Sequence, residues 1–392
     1  MTSTKALDKE FVAGTYARFD IEITSGKGSL VYDENGKEYI DLGTGIAVNT
    51  FGVCDEVWKM AVDAQLGLVQ HTSNLYYSAP SAKLAKLLCE RCGAKKVFFG
   101  NSGAEANECA IKVARKWAQD TKGAADYTVI TLKNSFHGRT ITTLKATGQE
   151  VFHKDFGPFP DGFDYATPGD ISELEALLEK HNCCAVMMEL VQGEGGVIAL
   201  DKEYVKAVEA LCRKKDLLLI IDEVQTGNGR CGELYAYMAY GISPDVVTTA
   251  KGLGGGLPIG AAILFDRVKD TLGISSHGST FGGNPIACAG AISIIERIDD
   301  ELLRGVKERS EYVFSTLSGV RGIKSVSGMG LMIGIETEAD VNAVLSKCLE
   351  GGVMPIKAKT KLRLLPALNI PMEQLKAAIA VIKKAAAELS EN

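Results

Sequence analysis

The sequence lacks any run of about 18 consecutive apolar residues, the length that a helix needs to cross a bilayer. Its first 20 residues, MTSTKALDKEFVAGTYARFD, also lack the apolar stretch of a secretory signal. Basic residues are not in excess, because 43 lysines and arginines face 49 aspartates and glutamates, for a formal net charge of −6. No nucleic-acid or membrane partner is therefore indicated, and we expect a cytoplasmic protein that acts on small molecules.

Cysteine patterns that would indicate disulfides or metal sites are also missing. The ten cysteines are scattered through otherwise apolar segments of a long chain, which favours reduced, buried thiols. Cys89 and Cys92 form one CxxC and Cys183 and Cys184 are neighbours, but no second CxxC or histidine pair completes a zinc set. We therefore predict no metal site, and we favour structural thiols over a redox role.

The length of the chain, 392 residues, exceeds that of a typical single core, so a large domain with a smaller one is expected. Hydrophobic residues make up 46% and charged residues 23%, which is an ordinary globular composition. The predicted division places residues 1–50 with the small domain, residues 51–283 in the large domain, and residues 284–392 in the C-terminal small domain.

Short apolar runs alternate with helical patterns such as EANECAIKVARKWAQ between about residues 96 and 265. The apolar runs are KVFFG, YTVITL, CCAVMMEL, LLLIID, VVTTA and GAAILF. This alternation is typical of an α/β fold with a mainly parallel sheet covered by helices. Because LLLIID shows no polar alternation, it is predicted to be a central strand buried on both faces.

A smaller α+β domain is predicted from the two ends of the chain. The turn Glu34-Asn35-Gly36 lies between two short apolar segments, which indicates a β-hairpin. After about residue 284, helical patterns are followed by the strand segments VSGMGLMIGIE and LRLLPAL. A final helix is predicted from Met372 to Leu389.

Polar residues follow three strands of the predicted sheet, and ligands of open α/β sheets bind beyond the carboxyl ends of the strands. In VFFGNSGAEANECA, a strand ends at Gly100 and a helix begins near Ala104. The small residues between them would expose backbone N–H groups and the helix N-terminus to an anion such as phosphate. A plain N-cap, with Ser102 and Glu105 forming a capping box, explains these residues almost equally well.

Asp222 comes directly after the apolar run in LLLIIDEVQTGNGR. A carboxylate is costly to bury there without a partner. A protonated pyridine nitrogen would be such a partner, and a metal ion or a structural cap would be others. The pair Asp222-Glu223 also resembles the end of a Walker-B strand, but no GxxxxGK[ST] loop precedes it. A nucleotide triphosphatase is therefore not expected.

Lys251 follows the run VVTTA and precedes the glycines of GLGGGLPIGA. A lysine in a partly desolvated site has a lowered pKa and supplies the neutral amine that attacks an aldehyde. The plain alternative is a surface lysine in a flexible loop. Neither GLGGGL nor the later GMGLMIG has the glycine spacing of a dinucleotide-binding fingerprint.

These segments, in this order, resemble the class III (subgroup II) aminotransferases, which transfer ω-amino groups with pyridoxal-5′-phosphate (PLP). The resemblance spans essentially the full length and lies in GKEYIDLGTGIAVN, NSGAEANECA, NSFHGRT, QGEGGV, DEVQTGNGRCGELYAY, TTAKGLGGGLPIGA, HGSTFGGNP and LRLLPALN. It implies the type I fold of PLP-dependent transferases, with a large domain and a smaller α+β domain. It also implies a homodimer with shared active sites.

The resemblance implies the contacts of the cofactor. Lys251 would hold PLP through its amine and later move a proton at the substrate carbon, and Asp222 would pair with the pyridine nitrogen. The other implied contacts are Val224 and Phe136 on the two ring faces, Gln225 at the phenolic oxygen, Ser102, Gly103 and Ala104 at the phosphate, and Thr280 at the phosphate of the neighbouring subunit.

The resemblance also implies how one pocket accepts two substrates. Arg363 would bind the α-carboxylate of glutamate, and Glu194 would pair with Arg363 when an ω-amine substrate is present. Arg139, assisted by Ser279, would take the γ-carboxylate of glutamate or the α-carboxylate of the amine substrate. Outside these motifs, the same residues would be interpreted as surface charges.

The expected reaction transfers the δ-amino group of N2-acetyl-L-ornithine to 2-oxoglutarate, a step of arginine biosynthesis. Gly45 stands where ornithine-specific members of the family carry a tyrosine before AVN, which leaves room for an acyl group. The alternatives are a relative acting on ornithine, succinylornithine, succinyl-diaminopimelate or GABA, a PLP aminomutase, which Gln225 disfavours, and a non-catalytic PLP-binding protein. Two features of the resemblance are weaker. The GHxHP segment that the family carries after AVN is GVCDE here, from Gly52 to Glu56. Tyr16 matches a tyrosine that contacts the substrate carboxylate in the family, but only by its position in the chain.

Overall fold

The computed structural model describes residues 3–123 and 125–390, so the outermost residues of the predicted terminal segments, 1–2 and 391–392, lie outside it. The helices are α1 Thr4–Phe11, α2 Thr44–Ala47, α3 Glu56–Leu66, α4 Ala79–Cys92, α5 Gly103–Thr121, α6 Ile141–Ala146, α7 Ile171–Lys180, α8 Lys202–Lys214, α9 Ala236–Tyr240, α10 Pro285–Ile295, α11 Asp300–Leu317, α12 Val341–Glu350 and α13 Met372–Leu389. Two 3₁₀ turns span Glu150–Phe152 and Lys251–Leu253.

In residues 3–123 and 125–390, the strands form four sheets. They are β1 Ile23–Lys27, β2 Leu30–Asp33, β3 Glu38–Asp41, β4 Lys96–Gly100, β5 Thr128–Leu132, β6 Phe163–Ala166, β7 Cys183–Met188, β8 Val191–Gln192, β9 Ile198–Ala199, β10 Leu218–Asp222, β11 Val246–Thr249, β12 Gly260–Leu264, β13 Ile323–Met329, β14 Met332–Thr337, β15 Val353–Met354, β16 Ile356–Ala358 and β17 Lys361–Leu364.

The central sheet has seven strands in the order β4-β12-β11-β10-β7-β5-β6. Neighbours from β11 to β6 are parallel, whereas β12 is antiparallel to both β11 and β4. The α/β fold with a mainly parallel sheet is therefore confirmed, with GAAILF as the strand that runs against the rest. All five residues of β10 are buried because Leu219 and Ile221 face one core and Leu218 and Ile220 face another.

Two smaller sheets contain the strands from the ends of the chain. The predicted turn after residue 33 joins β2 and β3 as an antiparallel hairpin, and β15 adds to β3 in parallel. A second sheet has the order β13-β14-β17-β16. Leu42 packs into a separate core built otherwise from residues 306–386, so the N-terminal hairpin lies with the C-terminal part of the chain. The final helix α13 has the predicted bounds.

The domain boundaries stay a prediction. Helix α10 begins just after the predicted boundary at residue 284, yet its buried residues pack with the core of the central sheet. All ten cysteines have free thiols. Across residues 3–123 and 125–390, no helix is both long and apolar enough to cross a membrane. The same ranges contain no group of three or more His, Cys, Asp or Glu side chains that could hold a metal ion.

Candidate active site

A cavity of about 640 Å³ lies where the carboxyl ends of β10 and β11 meet the N-terminus of α5. Such a position, beyond the carboxyl ends of the strands, is where open α/β sheets bind ligands. Of the residues predicted from the sequence, those that line this cavity are Ser102, Gly103, Ala104, Phe136, Arg139, Asp222, Val224, Gln225 and Lys251.

The N-terminus of α5 forms one wall of the cavity. The Ser102 hydroxyl accepts the N–H of Glu105 at 3.2 Å and so caps the helix. The Glu105 carboxylate accepts the N–H of Asn101 at 2.7 Å, one residue before the position of a regular capping box. A Cβ at Gly103 would lie 2.6 Å from Cγ1 of Val224. Only glycine therefore allows the helix start to approach Val224, and an anion can use its free N–H groups.

Asp222 is only 3% exposed, and three hydrogen bonds hold its carboxylate in place. Its Oδ2 accepts from Nδ2 of Asn107 and from Nδ1 of His137, both at 2.8 Å, and its Oδ1 accepts the N–H of Val224 at 3.0 Å. The buried Nε2 of His137 and Oδ1 of Asn107 have no hydrogen-bond partner within the described part of the chain. The carboxylate is thus held in one orientation at the cavity wall.

Lys251 begins a 3₁₀ turn directly after β11, with a left-handed backbone (φ +46°). Burial lowers the pKa of the Lys251 amine, and the nearby carboxylates of Glu194 and Asp222 oppose that shift. The Thr50 hydroxyl donates to the carbonyl of Gly252 at 2.7 Å and so ties this turn to a neighbouring segment. The site therefore favours the neutral amine more than water does.

The cavity residue Arg139 packs against two aromatic rings. The Arg139 guanidinium lies 4.1 Å from the ring centroid of Phe152 and 5.4 Å from that of Phe136. These two rings meet edge to face at 6.0 Å. Arg139 makes no salt bridge to any carboxylate that the structure describes. Its charge is held by ring faces alone and can receive an anionic ligand. Tyr16 also lines the cavity, with its ring 73% exposed.

Arg363 lies on β17, one hydrogen bond from the cavity wall. Its Nη1 donates to Oε1 of Glu194 at 2.5 Å and to Oε1 of Gln225, a cavity residue, at 3.2 Å. The buried Nε of Arg363 has no partner in the described residues. Glu194 and Arg363 are therefore brought together by the fold, although they are far apart in sequence.

Ser279 and Thr280 do not reach the cavity of their own chain. The Ser279 hydroxyl oxygen accepts from Nδ2 of Asn101 at 3.1 Å and from the N–H of Gly282 at 3.0 Å, beside β4, and Thr280 is exposed. The same surface exposes large apolar side chains, namely Leu75, Tyr76, Tyr77 and Phe281. An apolar surface of this kind is typical of a protein–protein contact.

Three residues of the site were missed by sequence reasoning: Asn107, His137 and Glu189. Glu189 follows β7, and its two oxygens accept the N–H groups of Phe136 at 2.8 Å and Gly193 at 3.2 Å. Burial raises the pKa of Glu189 to about 7. The signal was present, because Glu189 directly follows the apolar residues CCAVMM just as Asp222 follows LLLII. Nothing local in the sequence shows that Asn107 and His137 converge on Asp222.

The chain is similar to known proteins over nearly its whole length. The family model described as aminotransferase class-III matches residues 11–386. An acetylornithine aminotransferase of Haemophilus ducreyi is 48% identical over 98% of this chain and 98% of its own length. A solved ornithine aminotransferase of Toxoplasma gondii, with PLP at partial occupancy in its active site, has a TM-score of 0.95 at 33% identity and covers 100% of this chain and 96% of its own. An N-acetylornithine aminotransferase of Stenotrophomonas maltophilia has a TM-score of 0.84 at 34% identity, over 97% of this chain and 98% of its own.

Proposed function

This chain belongs to the PLP-dependent class-III aminotransferases, and from that premise we propose that its substrates are N2-acetyl-L-ornithine and 2-oxoglutarate. The products are N-acetyl-L-glutamate 5-semialdehyde and L-glutamate, and the reaction serves arginine biosynthesis. The observation that carries the proposal is the ion pair at 2.5 Å between the buried Arg363 and the partly exposed Glu194, which lets one site treat two different substrates differently. The relative at 48% identity supports the acylated amine donor.

The cavity residues fit PLP. The free N–H groups at the start of α5 suit a phosphate, and the buried carboxylate of Asp222 suits a protonated ring nitrogen. When bound, PLP supplies an aldehyde that condenses with amines and an aromatic ring that acts as an electron sink. The residues that we propose hold it are Ser102, Gly103 and Ala104 at the phosphate, Phe136 and Val224 on the ring faces, Gln225 at the phenolic oxygen, Asp222 at the ring nitrogen and Lys251 at the aldehyde carbon.

Lys251 is the proposed covalent anchor and proton carrier. Covalent attachment needs a neutral amine, and burial lowers the pKa of Lys251 in the direction that supplies it. The Lys251 amine, when it is not bound to PLP, would take and return a proton at the substrate carbon. Asp222, which accepts from Asn107 and His137, keeps a negative charge in place at the other end of the ring.

The ion pair between Arg363 and Glu194 explains how the two substrates share the site. Glutamate carries a carboxylate beside its reacting carbon, whereas the δ-carbon of acetylornithine carries none. An unpaired buried guanidinium is costly, so we propose that Glu194 covers Arg363 for acetylornithine and moves aside for glutamate. The Glu194 side chain is 30% exposed and that of Arg363 only 3%, so Glu194 is the partner with room to move.

Arg139 is proposed to bind the carboxylate that both substrates carry far from the reacting carbon. Its guanidinium stacks on Phe152 and has no salt-bridge partner among the described residues.

Gly45 is proposed to influence which amino donor the enzyme accepts. It lies in a turn just before Val48, which lines the cavity. This glycine has a φ of +64°, and a Cβ there would meet no atom closer than 3.8 Å. We propose that a residue without a side chain leaves space for the acetyl group.

We propose that the enzyme works as a cytoplasmic homodimer. Ser279 and Thr280 lie outside the cavity of their own chain, beside exposed apolar side chains. Across a dimer contact, Thr280 would reach the phosphate and Ser279 would assist Arg139 in the neighbouring cavity. The ten free thiols suit a reducing compartment.

A panel of amino donors tests the substrate assignment. We would measure kcat/KM with acetylornithine, succinylornithine, ornithine, GABA and succinyl-diaminopimelate at saturating 2-oxoglutarate, with light scattering to determine the oligomeric state. We expect acetylornithine to exceed unacylated ornithine and GABA by about tenfold or more, the discrimination that one pocket contact supplies. A preference for ornithine or GABA would contradict the proposal.

A further inference from the structure

One buried carboxylate joins a loop that lines the cavity to a second loop that packs against the cavity residue Gln225. The first loop, residues 133–139, carries Phe136 and Arg139, and the second, residues 193–196, carries Glu194. Glu189 lies between them at the end of β7 and is 6% exposed. None of the roles proposed above uses this carboxylate.

Each oxygen of Glu189 accepts from a different loop. Oε1 accepts the N–H of Phe136 at 2.8 Å, and Oε2 accepts the N–H of Gly193 at 3.2 Å. A buried carboxylate needs such donors, since desolvation without them is expensive. A second link, from Nε2 of Gln192 to the carbonyl of Lys133 at 2.9 Å, runs alongside. The two loops therefore form one connected unit.

The second loop is also tightly packed. A shift of its backbone at Gly193 would therefore move Glu194 as well. A Cβ at Gly193 would lie 2.8 Å from the amide of Gln225, and one at Gly195 would lie 2.7 Å from the carbonyl oxygen of Asn134. The loop thus passes between Gln225 and the first loop with little free space. Because Gly193 directly precedes Glu194, its hydrogen bond to Glu189 fixes the backbone from which the Glu194 side chain extends.

We propose that Glu189 is a positioning residue that sets the place of Glu194 relative to Arg363, and with it the balance between the two half-reactions. This inference rests on the proposed function, in which Glu194 covers Arg363 for the amine donor. If the loop carrying Glu194 loosens, Arg363 is less well covered when acetylornithine is bound. The glutamate half-reaction requires Glu194 to leave and is slowed less.

Substitution of Glu189 by Gln tests this role because Gln keeps the size but has only one acceptor oxygen. One of the two backbone N–H groups then faces an amide NH₂ and loses its acceptor. We expect the ratio of single-turnover kcat/KM for acetylornithine to that for glutamate to fall about tenfold, the effect of losing one hydrogen bond to a charged group. Amide hydrogen exchange, read by mass spectrometry on peptides containing Phe136 and Gly193, should become faster in at least one of them.

Glu223 provides a matched control. It also follows a central strand, is fully buried, and accepts the N–H of Tyr237 at 2.7 Å and the hydroxyl of Thr226, but it does not line the cavity. Glu223→Gln should leave both the ratio and the exchange of these two peptides unchanged. Equal changes in both variants, or an unchanged ratio in Glu189→Gln, would overturn the proposal.

Two further arms keep the result interpretable. If Glu189→Gln does not fold, Glu189→Asp retains the charge but is too short to span both loops, and the same fall in the ratio is expected. If the unmodified enzyme takes no amino group from acetylornithine, the proposed function fails. The exchange measurement still decides whether Glu189 holds the two loops, since it needs no turnover.

Discussion

The two halves of the cavity are built differently. The half formed by strand ends and the start of α5 holds Asp222 through three hydrogen bonds and buries Lys251. The other half depends on Arg139, which is stacked on rings, and on Arg363, whose carboxylate partner Glu194 is 30% exposed. One half is fixed and the other is adjustable, as expected for an enzyme with one cofactor and two substrates.

The difference has a packing cause. Alternate residues of β10 face two separate cores, so the strand that ends in Asp222 cannot shift without disturbing both cores. Arg363 comes instead from the sheet β13-β14-β17-β16, and Glu194 comes from a loop. The Glu194 side chain is partly exposed and is held to Arg363 by a hydrogen bond rather than by a dense core. Changes in the fixed half should therefore affect both substrates alike, whereas changes in the Arg363–Glu194 pair should affect them unequally.

The largest effect is expected for Lys251→Ala, in the fixed half. Both half-reactions should slow by about 10³-fold or more, because the variant loses the anchor and the proton carrier together. Stopped-flow rates with acetylornithine and with glutamate, and the absorbance band of the purified protein near the visible edge, would be recorded. Lys269→Ala, which removes an exposed lysine paired with Asp266, is the control. If Lys251→Ala slowed only one half-reaction, the prediction that the fixed half serves both substrates would be wrong.

A smaller and unequal effect is expected for Arg363→Leu, in the adjustable half. The glutamate half-reaction should fall about 100-fold, the usual consequence of removing one partner of a buried, hydrogen-bonded charge pair. The acetylornithine half-reaction should change less than about tenfold, since that substrate brings no carboxylate to this arginine. The measurement is kcat/KM for each half-reaction. Equal losses would show that Arg363 supports the fold of the cavity rather than one substrate.

The smallest effect concerns protein stability and arises at Glu223, which follows Asp222 in the chain but does not line the cavity. Burial raises the pKa of Glu223 from 4.5 to about 7, so the folded state favours the protonated acid. The stabilisation from proton binding is fully present below pH 4.5 and is lost as the pH rises to about 7. As the pH rises between those limits, the free energy of unfolding should decrease more in the unmodified protein than in Glu223→Gln. The total difference is expected to be on the order of 2 kcal/mol. Urea titrations at several pH values would measure it, and parallel curves for both proteins would contradict it.

Much of the fold could be predicted because apolar patterns report burial. The run LLLIID predicted β10, and the segment from Met372 to Leu389 predicted α13 with its observed bounds. The antiparallel direction of β12 could not be read in this way, since a buried strand has the same composition in either direction. The carboxyl end of β7 also carried a readable signal, because Glu189 directly follows the apolar residues CCAVMM as Asp222 follows LLLII.

The sequence by itself determined the α/β class, the strand ends, and the resemblance on which the candidate positions of Asp222 and Lys251 rest, because those features are local in the chain. Only the tertiary structure decided that Asn107 and His137 meet Asp222, that Glu189 joins two loops, and that Glu194 reaches Arg363 at 2.5 Å. These contacts join residues from separate elements. Hydrogen bonds and ion pairs act over a few ångströms in space, and no spacing along the chain encodes that distance.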